Sequence, residues 1–114
     1  MQPSFINDCG VLTDYLVETI AECGRSKAVV EIAMDADHRF RMGVSMTYSY
    51  SGFGWAPCMD GEAFATFAEA LDAGIGLLVK HWHKPFPGDP ASVHVELREL
   101  LDQVLARRRQ PSLF

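Results

Sequence analysis

No stretch of the sequence approaches the roughly 18 consecutive apolar residues that a membrane-spanning helix needs. The opening residues Met1-Gln2-Pro3-Ser4-Phe5 lack the basic segment and apolar run of a secretory leader. A cytoplasmic protein with no membrane partner is therefore expected. Cysteine is scarce: Cys9, Cys23 and Cys58 are an odd number, and no C-x-x-C spacing occurs. That excludes a zinc ribbon or dithiol redox motif and predicts three small thiols in a reducing compartment.

Chemistry-bearing patterns are equally sparse. The four histidines are His38, His81, His83 and His94, and no H-E-x-x-H occurs. His81 and His83 fall two apart on an expected helix, where they would point to different sides. No metal and no cofactor are expected. Ser51-Gly52-Phe53-Gly54 has two glycines but no lysine, so it reads as a turn rather than a phosphate loop. There is no G-x-S-x-G and no acidic pair with spacing for acid–base work. Cys58 with a distant histidine is the one nucleophile arrangement left, and nothing singles it out. No catalytic residue is assigned, and the chain reads as non-enzymatic.

Basic residues are in the minority, with 10 Lys and Arg against 15 Asp and Glu. Three of the ten are Arg107, Arg108 and Arg109, so residues 1–106 carry 7 basic against 15 acidic residues, a balance of −8. A body that neutralises duplex phosphates should show the opposite bias, so no direct nucleic-acid partner is expected.

What is present is a globular composition, 48% hydrophobic and 22% charged over 114 residues. One α+β domain is expected over residues 1–109, with a flexible tail at 110–114. A first helix is predicted at 6–23, because Leu12, Tyr15, Leu16, Thr19, Ile20 and Cys23 recur at helical spacing. Strands follow at 28–35, 39–50 and 53–58. The middle one alternates for twelve residues: Phe40, Met42, Val44, Met46, Tyr48 and Tyr50 against Arg39, Arg41, Gly43, Ser45, Thr47 and Ser49. The even set should be buried and the odd set wet. Tyr48, Tyr50, Phe53 and Trp55 could stack bases, but Tyr48 and Tyr50 share the face of Met42, Val44 and Met46, which reads as core.

A helix at 66–83 opens on the capping box Thr66-Phe67-Ala68-Glu69. Gly74 and Gly76 lie inside it, each unfavourable by about 1 kcal/mol relative to alanine. After the proline-rich stretch 84–90, Asp89 should cap a last helix that opens on Pro90 and closes on the arginines. The expected order is α-β-β-β-α-α, a three-stranded antiparallel meander packed on one face by helices.

The last five residues are Gln110-Pro111-Ser112-Leu113-Phe114. This pentapeptide resembles the short motif by which bacterial proteins dock on the DNA sliding clamp, usually glutamine, leucine, serine or aspartate, leucine, phenylalanine. Four positions match, and Pro111 replaces the usual leucine. The resemblance covers five residues and says nothing of the body. It implies that Leu113 and Phe114 enter an apolar cleft, with Gln110 hydrogen-bonding at its rim and Ser112 between. The function implied is a small bacterial, phage or mobile-element accessory protein on the clamp, whose body meets a second protein partner. An acidic interaction or inhibitor domain with a basic partner is the alternative, and a small enzyme of unrecognised type the third reading.

Overall fold

A computed structural model describes residues 1–49 and 51–109. Strands β1 (Leu16–Cys23), β2 (Ser26–Met34), β3 (Phe40–Thr47) and β4 (Gly52–Trp55) precede helices α1 (Phe67–Lys80) and α2 (Ala91–Arg109). The four strands form one antiparallel meander in the order β1-β2-β3-β4. The protein is α+β as expected, with four strands instead of three.

The additional strand replaces the predicted first helix. Residues 6–23 do not form one helix. Asn7 accepts the N–H groups of Cys9 (2.9 Å) and Val11 (3.0 Å) on its side chain, and its carbonyl accepts Gly10 N–H at 3.0 Å. This turn takes the backbone groups a helix would use. Beyond it, Val17, Thr19 and Ile20 favour a strand. A bulge between Thr19 and Ala21 leaves Ile20 and Ala21 buried side by side. Two adjacent buried residues break the period of two and imitate a helical stripe.

The alternation in β3 has the expected sense. Val44, Met46 and Tyr48 are buried, while Arg39, Thr47 and Ser49 are exposed. Tyr50 lies outside the described residues. The alternation is incomplete: Phe40, Arg41, Met42 and Ser45 are all half-buried, and Gly43 is buried on the supposedly wet face. After β4 the chain turns back over β3 there: a Cβ on Gly43 would lie 2.2 Å from the Trp55 carbonyl oxygen. Only glycine admits this crossing. The N-terminal segment joins it, with Leu12 N–H donating to Pro57 O at 3.0 Å and Met59 N–H to Gly10 O at 2.8 Å. Leu12, Val29 and Ala33 are buried on this side, outside the main core.

The main core lies between the other sheet face and both helices. Val30, Ile32, Val44 and Met46 meet Ala70, Ile75 and Leu78 of α1 and Val93, Leu97, Leu100 and Val104 of α2. Thr66 caps α1 as expected, its hydroxyl accepting Glu69 N–H at 3.1 Å. Asp89 does not cap α2: its carboxylate accepts Phe86 N–H at 2.9 Å and closes the preceding turn. α2 lies along β1, where the Gln103 amide donates to Glu22 O and accepts Glu22 N–H, both at 2.9 Å.

Candidate functional site

The residues assigned to a partner from sequence, Gln110, Ser112, Leu113 and Phe114, lie outside the described residues. Their root is within them. Arg107 is 3.7 Å from the Glu18 carboxylate, so α2 is held against β1 to within two residues of its end.

The body holds two carboxylates with dense hydrogen bonding. Asp35 is fully buried and accepts the N–H groups of Asp37 (2.9 Å) and Arg39 (3.1 Å) and the Arg41 guanidinium (2.9 Å). The same guanidinium donates to the carbonyls of Met59 (2.9 Å) and Gly61 (2.7 Å). Burial alone would raise the Asp35 pKa, but the bonds from Arg41, Arg39 and Asp37 prevail and hold it below the ordinary carboxylate value. Glu96 on α2 accepts the hydroxyl of Ser26 and the N–H and hydroxyl of Ser49. It thereby ties two hairpins to the helix. Its pKa is likewise lowered, the Ser26 and Ser49 bonds outweighing desolvation. Each carboxylate thus accepts three hydrogen bonds from the fold, which gives both a structural role.

Thiols and most imidazoles are dispersed. Cys9, Cys23 and Cys58 are free. His38 sits in the β2–β3 turn, with Nδ1 3.5 Å from Met34 Sδ. Among the described residues no group of three His, Cys, Asp or Glu is placed to hold a metal.

One cluster was not read from the sequence. α1 ends at Lys80 and His81 is its C-cap, so His81 and His83 are not both on the helix as predicted. Beyond the helix end they turn toward the same strand instead of to different sides. The His81 ring packs edge-on against Trp55, centroids 5.6 Å apart. The His83 ring lies 5.0 Å from Phe53 and 6.0 Å from Tyr48. Trp82, between them, packs against the core, and its buried Nε1 has no partner among the described residues. The register pairs Trp55 with Val44, on the helix side of the sheet, yet Trp55 keeps 43% of its surface exposed because β4 is the edge strand. β4 also lines a shallow depression of about 510 Å³ with Ser45, Thr47, Gly52 and Gly54. The available signal was the pairing of H-x-H and F-x-W periods of two, masked by extending the helix through His83.

A second exposed apolar group stands at the opposite sheet edge, where Tyr15, Leu16 and Val17 are each at least 40% exposed. The Tyr15 phenol is pushed above its ordinary pKa by its hydrogen bond to the Glu31 carboxylate. Set against protein-family models, curated proteins and solved structures, the chain has no match in any of the three.

Proposed function

We propose that this chain is a non-enzymatic accessory protein that docks on the bacterial DNA sliding clamp through Gln110-Pro111-Ser112-Leu113-Phe114. The observation that carries the reading is the pentapeptide itself, with glutamine, serine, leucine and phenylalanine in the order of the clamp-binding motif. Pro111 supports it physically, since a proline biases the preceding Gln110 toward extended backbone and lowers the ordering cost on binding. The contacts of Gln103 and Arg107 with β1 give the motif a fixed starting point on the body. In this reading Leu113 and Phe114 are the apolar anchors, and the body recruits or excludes a second protein at the clamp.

The test is a titration of purified bacterial sliding clamp by calorimetry. The full chain should bind with a dissociation constant on the order of micromolar, because a short peptide buries few residues. Replacing Leu113 and Phe114 together by alanine should abolish binding and change unfolding stability by less than about 0.5 kcal/mol. Pro111→Leu should tighten it. A stability loss of about 2 kcal/mol or more in the double variant would place the pair in the protein's own core and refute the reading.

A further inference from the structure

Two stretches of the sequence carry no acidic residue. None occurs between Asp37 and Asp60 or between Asp72 and Asp89. These two stretches meet where β4 faces the end of α1, at the contacts of Trp55 with His81 and of Phe53 with His83. Lys80 and Lys84 flank the two histidines and are exposed. Lys80 also offsets the partial negative charge at the C-terminus of α1. Glu96, which reaches Ser49 before β4, is occupied by Ser26 and Ser49, and Glu31 lines the depression that runs along β4. An acidic body thus brings two stretches without acidic residues together, with the exposed rings of Trp55 and His81 in contact and two exposed lysines flanking the histidines in the chain.

We infer that this surface is a stacking site for short single-stranded DNA. A nucleobase has two flat faces that any exposed indole or imidazole accepts, irrespective of sequence. Trp55 offers such a ring at a sheet edge, held upright by His81. Lys80 and Lys84 supply the phosphate contacts that bases alone lack. A duplex keeps its bases stacked inside and carries a denser charge, which the acidic remainder of the body repels. An acidic peptide would match the lysines but leave the rings unused. The inference goes beyond clamp docking and does not depend on it, since no tail residue is involved.

The experiment is fluorescence anisotropy of a labelled oligothymidylate of about 12 nucleotides, titrated with the full chain at about 20 mM salt. The expected dissociation constant is on the order of tens of micromolar, with a log–log salt slope of about −1.4 for two phosphate contacts to a single strand. Trp55→Ala should weaken binding about tenfold, and Lys80→Glu with Lys84→Glu should remove it. Arg98→Glu, a charge change on the outer face of α2, should have little effect. Circular dichroism melts confirm that each variant is folded. His81→Ala provides a second reading at the same ring pair should Trp55→Ala melt early.

Four results would overturn the proposal. Unchanged affinity in folded Trp55→Ala and His81→Ala is one. Binding lost with Arg107→Glu and Arg108→Glu but retained with both lysines reversed is another. A duplex, or a polyglutamate peptide, bound as tightly as the single strand is the third. Oligouridylate bound tenfold tighter than oligothymidylate is the fourth. None of these measurements involves the clamp, so the two readings fail or stand separately.

Discussion

Two glycines in α1 allow the packing of helix on sheet to be tested with an internal control. A Cβ placed on Gly74 would lie 2.5 Å from Val30 Cγ1 and 2.9 Å from Val30 Cγ2. Val30 is fully buried and paired on both sides, to Glu18 in β1 and Val44 in β3. Its branched side chain is stiff at χ1, so neither methyl can swing aside cheaply. A Cβ on Gly76 meets nothing within 4 Å. Both replacements by alanine gain about 1 kcal/mol of helix propensity. For Gly76→Ala nothing opposes that gain, and stability should rise by about 0.5–1 kcal/mol. For Gly74→Ala the overpacking costs about 2–3 kcal/mol, leaving a net loss of about 1–2 kcal/mol. Urea unfolding followed by far-ultraviolet circular dichroism should separate the two variants by about 2–3 kcal/mol. Adding Val30→Ala to Gly74→Ala should recover about 1 kcal/mol or more of coupling. Equal stability of the two alanine variants would show that α1 does not rest on Val30 through Gly74.

Asp35→Ala should cost about 3–5 kcal/mol at neutral pH, since it leaves a guanidinium and two backbone N–H groups short of their acceptor; equilibrium unfolding measures it. The folded Asp35 and Glu96 carboxyls titrate below their unfolded values. Their contribution is complete above the unfolded carboxylate pKa, near about 4, and is lost as pH falls through the lower folded values. Asp35→Asn with Glu96→Gln should therefore flatten the acid limb of a stability–pH curve. Thr66→Ala should destabilise by about 1 kcal/mol through loss of the bond to Glu69 N–H, read as a shift in melting temperature.

The parts of the fold visible in the sequence were those where one period ran unbroken. The alternation of β3 and the capping box at Thr66 each have one physical cause, and each appears where expected. β1 was obscured because its bulge at Ile20 mixes two periods within eight residues. The turn at Asn7 had a local cause, a short polar side chain able to take two N–H groups, but the apolar spacing around it overrode the signal. Gly43 read as one more wet position, because no local pattern reports that residues 56–59 will cross above it. The ring cluster at His81 and His83 depended on where α1 stops, and a helix end is the feature least fixed by periodicity. The roles of Gly74 and Gly76 differ only through Val30, more than forty residues away in the chain.

The bond between Gln103 and Glu22 spans 81 residues, whereas every strand in the meander pairs with its neighbour in the chain. Closing a loop that long costs about 4 kcal/mol of chain entropy beyond a constant, against about 1 kcal/mol for a tight hairpin. Sheet formation is thus fast and local, and the seating of α2 is the late, expensive step. During synthesis the sheet can assemble long before Val93 to Val104 leave the ribosome, with the outer edge of β1 bare over that interval. The helix that covers the Glu22 end of this edge in the finished protein arrives after the strands, so mutations that slow its docking should raise aggregation during synthesis more than they lower the stability of the folded chain.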